Sequence, residues 1–98
     1  MNTNSTPVKQ ISRRFLVSGK VQGVWFRAST REQATRLELK GYAKNLENGD
    51  VEVLAQGYPD AINELFAWLN EGPRLARVDR IKEVDAQDAI IVSDFRVL

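Results

Sequence analysis

The dipeptide Asn48-Gly49 limits the folds open to this chain more than any other pair of its residues. It sits within Glu47-Asn48-Gly49-Asp50, between two short apolar stretches, Tyr42 to Leu46 and Val51 to Ala55. Tight hairpin turns need positive φ at their centre, which asparagine and glycine tolerate, so the segment predicts an antiparallel β-hairpin. Amphipathic segments flank it on both sides. From about Arg27 to Lys40, the residues Phe26, Thr30, Ala34 and Leu37 recur at helical spacing, with Gly41 expected as the left-handed cap. After Gly57-Tyr58, Pro59 suits a first helical position. Ile62, Leu65, Phe66, Trp68 and Leu69 then form an apolar stripe that stops at Gly72-Pro73.

Three further strands complete the pattern. Ile11 to Val17 ends in Phe15-Leu16-Val17 and reads as a central strand. Val78 to Val84 reads as another, and the three-residue recurrence of Val78, Ile81 and Val84 predicts a bulge or an irregular edge. Phe95 to Leu98 alternates and supplies a short last strand. The order is β-α-β-β-α-β plus that strand. It predicts an α+β, ferredoxin-like α/β sandwich, with two helices on one face of an antiparallel sheet. Ninety-eight residues suffice for one such domain, assigned to 11–98, while the polar, turn-rich residues 1–10 are expected to be a mobile leader.

The stretch Gly19-Lys20-Val21-Gln22-Gly23-Val24-Trp25-Phe26-Arg27 joins the first strand to the first helix. Two glycines four apart allow a sharp turn that presents main-chain N–H groups, and a helix start adds partial positive charge. That is the physics of an anion cradle, although neither G-x-x-x-x-G-K-[ST] nor G-x-G-x-x-G is present. In the predicted topology the first two strands run parallel with one strand between them. Asn45 and the glycine loop then emerge at the same edge, roughly 10 Å apart, within reach of an arginine side chain. Each residue also has an ordinary reading: Gly19 and Gly23 as turn glycines, Arg27 as a solvated helix-start residue, Asn45 as a strand-end asparagine. Phe26 is expected in the core, and Trp25 either there or at the mouth of the loop.

Composition removes several chemistries. The chain has no histidine and no cysteine, so imidazole bases, thiolate nucleophiles and disulfides are excluded. Asp85, Asp88 and Asp94 lack the spacing of a calcium loop and are expected to be solvated, so no metal site and no cofactor are expected. A net charge of +1 provides no footprint for nucleic acid. No apolar run approaches the roughly 20 residues that span a bilayer. A cytoplasmic monomer with neither nucleic acid nor membrane as partner is the expectation.

The segments Gly19 to Arg27 and Gly41 to Val53 resemble the two signatures of the acylphosphatase family, and the resemblance extends to Gly57, Gly72-Pro73, Ala76-x-Val78 and Phe95-x-Val97. It implies metal-free hydrolysis of the carboxyl–phosphate anhydride of a small acyl phosphate, with inorganic phosphate as product and competitive inhibitor. By position, Arg27 resembles the phosphate-binding arginine of the family and Asn45 its water-positioning asparagine. Lys20, Val21, Gln22, Gly23 and Val24 resemble its main-chain phosphate cradle. The competing reading is a non-catalytic ferredoxin-like module that binds phosphate, a small molecule or RNA. RNA binding calls for exposed aromatics on the central strands, where the first strand offers Phe15 alone.

Overall fold

The hairpin forms where Asn48-Gly49 predicts it. In a computed structural model that describes residues 8–98, Gly49 takes φ 97°, Leu46 N–H donates to Asp50 O at 2.9 Å and Asp50 N–H to Asn48 Oδ1 at 3.0 Å. Around it, seven elements follow in the order β1 (Ile11–Lys20), α1 (Phe26–Arg36), β2 (Lys40–Asn45), β3 (Val51–Gly57), α2 (Pro59–Leu69), β4 (Arg77–Val84) and β5 (Phe95–Val97). Of the expected leader, residues 1–7 lie outside the described residues, and Val8, Lys9 and Gln10 are exposed without regular structure.

The strands form one sheet in the order β4-β1-β3-β2-β5. The first four pair antiparallel, whereas β5 joins β2 in parallel from Gly41↔Phe95 to Ala43↔Val97, so the sheet is mixed rather than wholly antiparallel. The β1–β4 register shifts between Ser18, opposite Arg80, and Gly19, opposite Val78, leaving Asp79 as an extra residue on β4. This bulge explains the three-residue spacing noted above: it turns Val78 and Ile81 to the same side, where both pack on the core.

One helix end differs from expectation. Helix α1 stops at Arg36, well before Lys40, and Glu38 rather than Gly41 makes the left-handed exit at φ 61°. Glu38 N–H donates to Thr35 O at 3.0 Å and Leu39 N–H to Ala34 O at 2.8 Å, a Schellman motif with glutamate at the left-handed position. Gly41 instead lies inside β2, where an added Cβ would stand 1.9 Å from Leu54 O. Helix α2 runs to Leu69 and exits through Gly72 as expected, left-handed at φ 69° with its N–H donating to Trp68 O at 2.8 Å.

The core lies between the helices and one face of the sheet. Phe15, Val17, Val51, Val53 and Ala55 meet Phe26 and Ala34 of α1 and Ile62, Leu65 and Leu69 of α2, all of them buried. Burying each large side chain of this kind contributes about 1.5–3 kcal/mol before entropy is counted. One aromatic pair links sheet to helix, Phe15 of β1 with Phe66 of α2 at 5.2 Å, and another links the two helices, Phe26 with Trp68 at 5.9 Å. Phe15 is therefore core, and β1 presents no stacking surface for bases.

Because β4 and β5 occupy opposite edges, the segment 85–94 between them must cross the sheet. It does so as a strap on the face away from the helices. Arg14 of β1 donates to Asp85 O at 2.7 Å and Asp88 Oδ1 at 3.0 Å, and Gln56 of β3 donates to Ile90 O at 2.9 Å. Gly41 N–H of β2 then donates to Asp94 O at 3.0 Å.

Candidate active site

The site begins where β1 ends. Within β1, Gly19 takes φ 133°, and a Cβ there would stand 2.1 Å from Arg77 O on β4, so Gly19 serves strand packing rather than the loop. Lys20 is the last residue of the strand, paired with Arg77 and exposed. The turn proper runs from Val21 to Trp25. Val21 and Val24 are buried in the core and anchor the loop, while Gly23 and Trp25 stand exposed.

Two residues of this turn are left-handed, Gly23 at φ 75° and Trp25 at φ 65°. Around Gly23 an added Cβ would meet nothing within 4 Å, so conformation rather than crowding selects glycine there. Trp25 carries a side chain in a region that costs about 1–2 kcal/mol, and backbone strain of this size gathers where main-chain groups are aimed at a ligand. From Trp25 the chain enters α1 directly. Its side chain makes no capping bond, and the first turn contains no acid. The leading N–H groups of α1 thus keep their partial positive charge. Downstream, the buried Thr30 hydroxyl donates to Phe26 O at 2.7 Å, which satisfies the one polar residue of the buried helix face.

These features converge on a cavity of about 370 Å³ lined by Val21, Gly23, Trp25, Phe26, Arg27, Ala28 and Val97. Arg27, on the first turn of α1, donates from Nη1 to the main-chain oxygen of Leu98 at 2.7 Å. That bond uses one of the five guanidinium donors and holds the side chain at the rim. Trp25 stands exposed at the mouth. Val21, Gly23 and Arg27 therefore share one cavity, whereas Lys20, Gln22, Val24 and Asn45 do not line it.

Asn45 is the last residue of β2, opposite Val51 on β3, and Val51 in turn pairs with Val17 on β1. Its Oδ1 is shielded from solvent and accepts no hydrogen bond among the described residues. Gln22 turns its amide away from the cavity, donating from Nε2 to Leu46 O and to Asp50 O, both at 2.8 Å. No cluster of three or more carboxylates arranged to hold a metal ion occurs among the described residues. Sequence reasoning missed the parts played by Gln22, Val97 and Leu98. A glutamine in a turn and two residues 70 positions downstream have no local signal.

Comparison with known proteins matches residues 13–97 to the acylphosphatase family model. The chain belongs to the acylphosphatase family. An acylphosphatase of Alkalilimnicola ehrlichii is 55% identical over 87 residues, covering 89% of this chain and 97% of that one. Among solved structures, an acylphosphatase from Coxiella burnetii is 45% identical with a TM-score of 0.81, covering 91% of this chain and 93% of the other. The acylphosphatase of Bacillus subtilis is 28% identical with a TM-score of 0.84, covering 92% and 99%. Acylphosphatase activity, and with it the standing of an enzyme, follows from membership. The α+β sandwich described above is the acylphosphatase fold of these relatives, and the matched range holds the loop, Arg27 and Asn45 together.

Proposed function

We propose that the cavity holds the phosphoryl group of an acyl phosphate, bound by Arg27 and by main-chain N–H groups between Val21 and Arg27, while Asn45 orients the attacking water. The observation that carries this reading is the convergence of the uncapped start of α1, the left-handed Gly23 and the Arg27 guanidinium on one 370 Å³ cavity. Such donors suit three phosphoryl oxygens, and a guanidinium can grip two of them at once.

The chemistry asks for little beyond positioning. The leaving group is a carboxylate, which departs without a strong general acid, so a chain without histidine can carry the reaction. Asn45 cannot take a proton at neutral pH, but its amide oxygen, which accepts no hydrogen bond among the described residues, can receive one from a water and hold it in line with phosphorus. The water proton then passes to a phosphoryl oxygen of the substrate. Carboxylate and inorganic phosphate are the products, and phosphate competes for the cradle. The proposal requires no metal and no cofactor, and it places the enzyme in the cytoplasm as an 11.1 kDa monomer. Among the described residues, no helix is long and apolar enough to cross a membrane.

A spectrophotometric assay on benzoyl phosphate, with p-nitrophenyl phosphate as control, tests the reading. The expected result is cleavage of the anhydride in excess over the ester, unchanged by EDTA and inhibited competitively by inorganic phosphate. Comparable cleavage of both substrates, or activity lost in EDTA and restored by Mg²⁺, would overturn it.

A further inference from the structure

Gln22 was expected to contribute only its main-chain N–H to the cradle, yet its side chain does something else. The half-buried amide spends both Nε2 protons on the carbonyls of Leu46 and Asp50, each at 2.8 Å. Those two carbonyls close the rung just beyond Asn45↔Val51, the last pair of the β2–β3 ladder. Each already accepts a main-chain bond, Leu46 O from Gly49 N–H at 3.2 Å and Asp50 O from Leu46 N–H at 2.9 Å. One side chain thus fastens the phosphate loop to the peptide that follows Asn45.

We propose that Gln22 is a positioning residue, whose amide fixes the distance between the loop and Asn45 and thereby the alignment of water with phosphorus. This rests on the reading of Asn45 as the residue that orients water. The two halves of the site hang from different strands, β1 and β2, with β3 between them, and neither half carries a main-chain bond to the other among the bonds described above. Backbone pairing alone sets their separation at the level of the sheet. The loop can still tilt on the end of β1, and a tilt near 1 Å is enough to cost in-line attack a large factor in rate. Two bonds from one planar amide remove that freedom, because the planar group holds both carbonyls at a set distance from the Gln22 main chain. Only glutamine offers two donors on a neutral planar group at this reach; glutamate would face two carbonyl oxygens with a third and fourth oxygen.

The test is a double-mutant cycle of Gln22→Met and Asn45→Ala, assayed on benzoyl phosphate, with the inhibition constant of inorganic phosphate and the thermal midpoint measured on the same samples. Methionine keeps the length of the side chain and removes both donors. Gln22→Met is expected to lower kcat by roughly ten- to a hundredfold, with KM and phosphate inhibition changed less than about threefold. In the Asn45→Ala background the same substitution is expected to leave kcat within about twofold. Gln22→Glu is expected to be impaired at pH 7 and to regain activity as the pH falls and a protonated carboxyl supplies one donor, a response that a plain structural role would not produce. Equal losses of kcat from Gln22→Met in both backgrounds would overturn the proposal, as would a loss confined to phosphate affinity. A wild-type kcat in Gln22→Met beside an impaired Asn45→Ala overturns this inference alone. A wild-type kcat in Asn45→Ala overturns the reading of Asn45 and this inference with it.

Discussion

Val17 and Asn45 pair with the same residue, Val51, from opposite sides of β3. The last β1 residue paired with β3 and the residue of the proposed water-orienting amide thus share one rung, about 10 Å apart across two strand spacings. Since Asn45 Oδ1 accepts no bond among the described residues, Asn45→Ala breaks no hydrogen bond to that oxygen there. That variant is expected to lose roughly a hundredfold in kcat while its thermal midpoint and phosphate inhibition stay close to those of the parent. Circular dichroism melts beside benzoyl phosphate kinetics check this; an unfolded variant would make Asn45 a structural residue.

Arg27→Lys keeps a positive charge but loses the planar fork. Phosphate inhibition is expected to weaken at least tenfold and turnover on benzoyl phosphate to fall further still. Among the described residues the bond to Leu98 O, at the exposed rim, is the one hydrogen bond lost, so stability should change by about 1 kcal/mol or less. Near-normal hydrolysis by the lysine variant would dismiss Arg27 as a phosphate ligand.

The two glycines of the motif should fail in opposite ways. Gly19→Ala forces a methyl within 2.1 Å of Arg77 O and is expected to destabilise by about 2–4 kcal/mol, seen as a lowered urea midpoint. Gly23→Ala meets no atom within 4 Å and costs about 1 kcal/mol for its left-handed φ. Its methyl borders the cavity, so its larger effect should appear as weakened phosphate inhibition in a folded protein.

Acid stability should depend on a pair far from the cavity. Arg13 donates to Glu83 at 2.9 and 2.8 Å, and this hydrogen bond holds the Glu83 carboxyl below its ordinary value. A lowered value means that the contribution is fully present above the unfolded value of about 4.3 and is lost as pH falls through the folded one. Glu83 is 46% exposed, so screening keeps the effect near 0.5 kcal/mol or less. Thermal melts between pH 7 and 3 should show a smaller acid slope below about pH 4.5 for Glu83→Gln than for the parent. Equal slopes would remove this pair from the acid response.

Much of the architecture was legible because its signals are local. Asn48-Gly49 placed the hairpin through turn chemistry, and the apolar periods of Phe26, Thr30 and Ala34 and of Ile62, Leu65 and Leu69 placed the helices. What escaped depends on neighbours distant in the chain. Gly19 and Gly41 were read as turn and cap glycines, since the same residue type serves a tight strand approach, and the opposing Arg77 and Leu54 carbonyls are set only by the sheet register. The exit of α1 through Glu38 was hidden because a left-handed glutamate has no sequence mark. In the site, Gly23 and Arg27 were readable from the turn and the helix start. The grip of Gln22 on Leu46 and Asp50 needed the hairpin register, and the contact of Leu98 with Arg27 needed β5 to dock in parallel on β2.

The strap over residues 85–94 bears on the timing of assembly. Val97 walls the cavity and Leu98 holds Arg27, yet both reach that place only after the chain has crossed β1, β3 and β2. During synthesis, the loop, α1 and Asn45 are all made more than forty residues before the two groups that finish the pocket. A nascent chain can thus hold both halves of the proposed site and still lack the groups that wall its cavity. Under the proposed assignment of the site, catalytic competence reports that β5 has docked, which makes regain of activity on refolding a clock for the closing step of the fold.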